Sequence, residues 1–347
     1  LEAIILKNET FFTHPGQVIE ELLKKNHMTQ QELSCRIGVS LKHMNEIIHQ
    51  KKSLTAAMAI RLANVFDVSA DFLLQLQSLY DQQKEELMNI MQMSEEEKVL
   101  ASNLPYERLH QWGYAPKQFL TREERVFYFR KFIGVSSLQN IPVYMAHITS
   151  TKENVYHLAV WLRMGQWEAS RIEIGNLNLT LLKKQLPSLR ELMKLTLDEA
   201  IIPLSTLLAS WGIALCLLPV MPDIEAMGFL KYHGEGVIMG LAEKFEYEDE
   251  FWLALYQMLG TLVCQRSKSC SIVYKEELLD QADAFAKKQW ISAARYQRLV
   301  SHLNLENILD AASQENLLIG HLIGLLIDDG YLDKNAYPDF RRKKTRG

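Results

Sequence analysis

The sequence of 347 residues holds only four cysteines, Cys35, Cys216, Cys264 and Cys270, and no two of them form a C-x-x-C pair. That excludes a disulfide framework and a zinc knuckle, and reduced thiols in an intracellular protein are expected. Long apolar runs are missing as well. Ile201 to Val220 is apolar in patches but is interrupted by Pro203, Ser205, Thr206, Ser210 and Pro219, which excludes a membrane span there. Leu1 to Phe12 carries Glu2, Lys7, Asn8 and Glu9 and lacks the layout of a signal peptide, and its start at Leu instead of Met suggests a trimmed chain. A bulk excess of positive charge is absent too: 38 Lys and Arg face 42 Asp and Glu, for a net charge of −4. Any nucleic-acid contact must therefore be a local patch. The helical zinc motif H-E-x-x-H does not occur; His233-Gly234-Glu235 falls in a turn, and His302 and His321 are too far apart in sequence to share a helical turn. No internal repeat or low-complexity tract is found.

What is present is a globular composition, 48% hydrophobic and 23% charged, in a chain long enough for two or three packed units. His14 to about Tyr80 reads as a string of short amphipathic helices. Asp81 to about Ile174 stays helical, with Gln82-Gln83-Lys84-Glu85-Glu86 and Ser94-Glu95-Glu96-Glu97 placed on exposed faces. Thr121-Arg122-Glu123-Glu124 has the spacing of a capping box and predicts a helix running to about Ile133. Two more helical stretches follow Leu177, and then the strands: Ile213–Leu218, and a hairpin of Phe229–Tyr232 with Val237–Leu241 around His233-Gly234-Glu235-Gly236. Helices return from Asp249. The dense basic run Arg341-Arg342-Lys343-Lys344-Thr345-Arg346 reads as a solvated, frayed tail, with a role on the DNA backbone as its alternative.

The N-terminal helices carry the clearest functional signal. Thr29-Gln30-Gln31-Glu32 has capping-box spacing and opens a helix whose buried face is Leu33 and Ile37. Gly38 ends it, because a tight turn needs a residue that accepts left-handed backbone angles. Ser40 then caps a second helix, Leu41 to about His49, in which Met44, Ile47 and Ile48 face inward. Helix, glycine turn and a second helix with a polar outer face form the reader that lays its second helix in the major groove. Leu41, Lys42 and Asn45 are best placed for base edges, with His43 beside them. Lysine donates to guanine, asparagine pairs with adenine, and leucine touches a thymine methyl. Gln30, at a helix start, donates to a phosphate, and Lys51 and Lys52 supply backbone charge. A generic bundle with solvated polar residues is the bland alternative. From His14 to Tyr80 the charges nearly cancel, with Lys24, Lys25, Arg36, Lys42, Lys51, Lys52 and Arg61 against Glu20, Glu21, Glu32, Glu46, Asp67 and Asp71. Affinity would then lean on dimerisation to double the contacts.

The pieces His14-Pro15-Gly16, Glu20-Glu21-Leu22, Gln31-Glu32-Leu33, Gly38-Val39-Ser40, Lys42-His43, Glu46-Ile47-Ile48 and Met58 to Ala63 resemble the Xre-type domain of HigA antitoxins. The resemblance implies a dimer on double-stranded operator DNA of two-fold character and raises a toxin as partner. Family members commonly carry Asn-Gly-Lys where this chain has His49-Gln50-Lys51.

A second resemblance covers about Val155 to Tyr337. Phe251-Trp252, Leu259-Gly260, Ala282-Asp283-Ala284-Phe285-Ala286, Ala159 to Arg163 and Phe229-Leu230 to Leu241 resemble ImmA/IrrE-type metallopeptidase domains. In active relatives one helix gives two histidines and a glutamate, and a later helix gives a third ligand. Carried over by position, these fall on Gln257, Met258, Thr261 and Gln281, so the resemblance implies a zinc site whose chemistry is lost. Neutral amides and hydroxyls bind zinc poorly, and methionine cannot serve as a base. A slipped alignment would make Gln257 an ordinary helix residue of an unrelated fold. Trp252, Tyr256 and Trp290 read as core, with a ligand pocket as alternative. Glu276, Glu277, Asp280 and Asp283 read as a solvated acidic face, with a weak Ca²⁺ or Mg²⁺ site as alternative.

The expected fold is mainly α with a small α+β part. It comprises a five-helix, lambda-repressor-like domain over 11–80, a helical middle region over 81–174, a zincin-like domain with a short sheet over 175–340, and the basic tail 341–347. The expected function is a cytoplasmic, DNA-binding repressor or antitoxin-like regulator with no cofactor and no enzymatic activity. Its inactive domain would serve dimerisation, signal sensing or partner binding. The alternatives are a metal-dependent protease cleaving a partner repressor and an antitoxin that masks a toxin.

Overall fold

The structure is a computed structural model and describes residues 13–116, 120–149, 153–265 and 269–344. The signal-peptide reading of Leu1 to Phe12 and the tail residues Thr345 and Arg346 therefore lie outside the described residues. The chain divides into two compact units, one ending at Glu95 and the next beginning at Glu96.

The described part of the first unit contains helices α1 (Pro15–Lys25), α2 (Gln30–Ile37), α3 (Leu41–Ile48), α4 (Ala56–Ala63) and α5 (Ala70–Met91). Hydroxyl caps punctuate it. Thr29, Ser40, Thr55 and Ser69 each accept the backbone N–H three residues on, and each is worth about 1 kcal/mol to its helix. The box at Thr29 is only half made. Its hydroxyl takes the Glu32 N–H at 3.1 Å, but the Glu32 carboxylate turns forward to Arg36 at 2.6 Å instead of back to the cap. Ile19, Leu33, Met44, Ile47, Leu62 and Leu73 close one core between the helices. Residues 81–91 continue the helix that begins at Ala70.

Helix α6 (Glu95–Asn103) belongs to the second unit from its second residue on, and α7 (Tyr106–Gln111), α8 (Arg122–Ile133) and α9 (Ile141–Ala146) lead from it to α10 (Val155–Ala169). The Thr121–Glu124 box is complete, with both reciprocal bonds formed. Glu97 is not on an exposed face. Its carboxylate is buried and takes Arg130 Nε at 2.9 Å, Ser137 Oγ at 3.0 Å and the Leu138 N–H at 2.7 Å. Burial alone would raise its pKa, but those donors together hold it below the usual carboxylate range.

After α11 (Leu179–Leu192) and α12 (Leu197–Ser210) come the strands β1 (Ile213–Leu218), β2 (Gly228–His233) and β3 (Gly236–Ala242). The chain then forms α13 (Glu248–Cys264), β4 (Ser271–Val273), α14 (Asp280–Trp290), α15 (Ala293–Ser301), α16 (Leu305–Gln314) and α17 (Ile319–Asp328). The sheet order is β1-β3-β2-β4, with β1 parallel to β3 and the other pairs antiparallel. The expected hairpin forms, with Tyr232 opposite Val237 and His233 opposite Gly236, and β4 is an added edge too short to read from sequence. Helix α10 packs on β1 and β3, with Phe229 edge-on to Trp161. Leu215, Leu230, Met239 and Leu241 belong to the main core with Phe251, Leu255 and Leu259 of α13. Pro187 and Pro203 sit inside α11 and α12 and break neither.

The described part of the basic tail is docked, not frayed. Arg341 is buried, Arg342 O accepts the Glu248 N–H at 2.9 Å, and Lys343 bridges Tyr247 in antiparallel fashion.

Candidate nucleic-acid interface and the expected metal positions

The turn between α2 and α3 is held at three points. Gly38 adopts φ 67°, ψ 46°, the left-handed conformation that a side chain would disfavour. Ser40 accepts the His43 N–H at 3.1 Å and so starts α3 in a fixed direction. Arg61, on α4, donates from Nη1 to the Ile37 carbonyl at 3.1 Å and the Gly38 carbonyl at 3.4 Å. The only sequence signal for this clamp is that Arg61 belongs to the family-like run Met58–Ala63.

Held this way, α3 buries Met44, Ile47 and Ile48 and exposes Leu41, Lys42 and Asn45, with His43 half-buried beside them. Gln30 is half-buried at the start of α2, while Ser40, Lys51 and Lys52 are exposed. The two loop lysines are not equivalent. Lys52 Nζ is 2.8 Å from the Glu46 carboxylate, which lowers the pKa of that carboxyl, whereas Lys51 makes no ion pair among the described residues. Lys42 is likewise without an ion pair among the described residues. Gln50 takes φ 61°, a backbone conformation that favours glycine, and its Oε1 accepts the Tyr80 hydroxyl at 3.3 Å. A left-handed non-glycine residue costs about 1 kcal/mol, so this loop keeps the shape of a glycine turn at some expense. Gln77 supports the same loop from α5 by accepting the Leu54 N–H at 2.8 Å.

The four positions that the second resemblance assigns to metal chemistry lie on α13 and α14. Gly260 lets the two helices cross closely, because a Cβ there would run into the Ala282 carbonyl. Gln257 is buried and donates from Nε2 to Asp283 at 2.8 Å and Asp328 at 3.5 Å. Met258 is fully buried with its thioether against Gly228. Thr261 spends its hydroxyl on the Gln257 carbonyl at 2.9 Å, and Gln281 is exposed. Around Gln257 the charges are already matched: Lys287 bridges Asp283 and Asp329, and Lys275 pairs with Asp328. An amide, a thioether and a hydroxyl turned onto its own helix do not fit zinc, and ammonium groups hold the nearby carboxylates. Among the described residues no three His, Cys, Asp or Glu side chains are placed to hold a metal. Of the acidic cluster, Glu276, Glu277 and Asp280 are exposed, but Asp283 turns inward to Gln257 and Lys287. Trp252, Tyr256 and Trp290 are all core. Among the described residues no helix is long and apolar enough to cross a membrane.

A helix-turn-helix family profile matches residues 19–73. Virulence-associated protein I of Dichelobacter nodosus is 36% identical over 76 residues, which are 22% of this chain and 70% of that protein. The uncharacterized HTH-type transcriptional regulator YbaQ of Escherichia coli strain K12 is 36% identical over 70 residues, 20% of this chain and 62% of the relative. Among solved structures, the Pseudomonas aeruginosa antitoxin HigA with the higBA promoter is 33% identical, covering 23% of this chain and 88% of that one at a TM-score of 0.22.

Proposed function

The chain belongs to the helix-turn-helix family of DNA-binding regulators, and from that premise we propose that it reads a specific operator through α3 as a homodimeric, cytoplasmic repressor or antitoxin-like protein. The observation that carries this reading is the division of α3 itself: Met44, Ile47 and Ile48 are spent on the core, which leaves Leu41, Lys42 and Asn45 free on one rigidly held face. Lys42 and Asn45 supply base contacts, and Gln30, Lys51 and the Glu46-paired Lys52 supply backbone contacts. A second copy would cover Phe72 and Leu79, which lie seven residues apart on one face of α5 and are 47% and 55% exposed. A toxin would be the protein partner of the antitoxin-like form.

The test is a titration of the chain against DNA from upstream of its own gene, at two salt concentrations and with random duplex as competitor. Lys42→Ala is expected to cost about 1–3 kcal/mol on the operator and little on random DNA. Lys51→Ala is expected to weaken both alike and to reduce the salt slope by about one. Equal loss on both DNAs from Lys42→Ala overturns the base-reading role.

For the second unit the reading is a degenerate ImmA/IrrE-type domain that binds a signal or partner and catalyses nothing. Its support is the donor set at Gln257, Met258, Thr261 and Gln281, with Lys275 and Lys287 on the surrounding carboxylates. Metal analysis of protein purified without chelator is expected to find far less than one zinc per chain. Stoichiometric zinc would restore the protease alternative.

A further inference from the structure

A cavity of about 590 Å³ lies where α14 ends and α15 begins, and neither the DNA face nor the Gln257 network accounts for it. Arg190, Lys287 and Lys288 line it, with Glu315 as the one acidic group of the lining. These charges are unevenly spent. Lys287 is committed to Asp283 and Asp329. Glu315 is shared, with Arg295 Nη1 2.5 Å from one carboxylate oxygen and Arg190 Nη2 4.0 Å from the other. Arg190 otherwise donates to the carbonyls of Trp290 and Glu315, which use its hydrogens without neutralising its charge. Lys288 is exposed and makes no ion pair among the described residues. One carboxylate shared by two guanidiniums, together with an ammonium that makes no ion pair among the described residues, leaves an excess of positive charge on Arg190 and Lys288 in this lining.

The opposite character is apolar. Ile291, Ala284 and Ala293 line the cavity, and Trp290 borders it with its indole N–H buried and unpartnered among the described residues. A cavity of this volume suits a ligand of drug or nucleotide size, held by an apolar body and oriented by a few polar groups. A carboxylate would only repeat what Glu315 already does here. A phosphate brings close to two charges and three acceptor oxygens, enough to meet one N–H of the Arg190 guanidinium outside its committed Nη2 and the Lys288 ammonium together. We propose that this cavity binds a small organic phosphate, with the phosphate between Arg190 and Lys288 and an apolar body against Ile291 and Ala293.

Calorimetric titration of the full chain with phenyl phosphate, in the absence of DNA, tests this independently of operator binding. Saturable one-site binding is expected. Lys288→Glu, at an exposed position that leaves the fold intact, should weaken it at least about tenfold. Ala284→Trp, which fills the exposed mouth, should weaken it as well. Inorganic phosphate and phenol, each carrying one half of the recognised chemistry, should bind at least about tenfold more weakly than phenyl phosphate. Absence of saturable binding up to about 10 mM, or unchanged affinity in Lys288→Glu, overturns the site. Equal affinity for inorganic and phenyl phosphate overturns the organic ligand.

Discussion

Arg341→Ala is expected to destabilise the second unit by about 3–5 kcal/mol, read as a fall in its urea midpoint at pH 7.5. The guanidinium is almost wholly buried, with its side chain 1% exposed and that of Asp249 2% exposed. Its Nη2 stands 2.6 Å from Asp249 Oδ2 and 3.0 Å from Glu250 Oε1, its Nη1 donates to the Lys334 carbonyl, and its plane lies 3.8 Å over the Tyr247 ring. Truncation removes these contacts and, more costly, leaves the Asp249 carboxylate without its counter-ion in a site water does not reach. The loss is therefore mostly the desolvation of the abandoned charge, not the worth of the pair. That account makes a second demand: Asp249→Asn combined with Arg341→Met should recover more than half of the stability. A single Arg341→Ala variant within about 1 kcal/mol of the parent would show that the docked tail contributes little.

His321→Phe is expected to change the acid sensitivity of the same unit by about 2–3 kcal/mol between pH 7.5 and pH 4.5. His321 is buried edge-on to Trp290, at 5.5 Å between ring centroids, and neither ring nitrogen has a hydrogen-bond partner among the described residues. Burial pushes its pKa down to about 4. Above pH 6.5 the ring is neutral folded or unfolded, and it costs nothing in charge. As pH falls from 6.5 towards 4 the unfolded chain takes up a proton that the folded ring refuses, so stability is lost across that window. Phenylalanine keeps the aromatic contact, removes the titration and removes two unsatisfied nitrogens, so it should also stabilise at pH 7.5. Asp249 runs the other way, since burial, against Arg341, raises its pKa to about 6 and favours the folded state on mild acidification. The informative quantity is thus the difference between parent and variant at each pH. Identical pH dependence in both would mean that His321 finds a partner in solution.

Local features of this chain were legible because their partners lie within a turn. Thr121 and Glu124 complete their box, and Gly38-Val39-Ser40 with Met44, Ile47 and Ile48 define which face of α3 turns inward. Thr29 and Glu32 share the same spacing, but Arg36 lies one turn on and takes the carboxylate; a competing neighbour decides what spacing alone cannot. The hairpin was readable from its glycine turn. The contacts that the sequence does not reveal are long-range. Glu97 meets Arg130 33 residues away, and Arg341 meets Asp249 92 residues away. Nothing in a run of glutamates or in a basic tail distinguishes such residues from solvated ones. At the positions that the second resemblance assigns to a metal, the sequence shows the residue types but not that Gln257 ties itself to Asp283 or that lysines hold the carboxylates around it.

The distance in sequence between Asp249 and Arg341 also sets an order of events during synthesis. At about 5–20 residues per second, a ribosome takes roughly 5–18 s to add the 92 residues that separate them. Through that interval Asp249 has no guanidinium to meet, and the start of α13 cannot reach its final burial. The helix-turn-helix unit, whose contacts close by Glu95, has no such wait and is expected to be folded while the second unit is still being made.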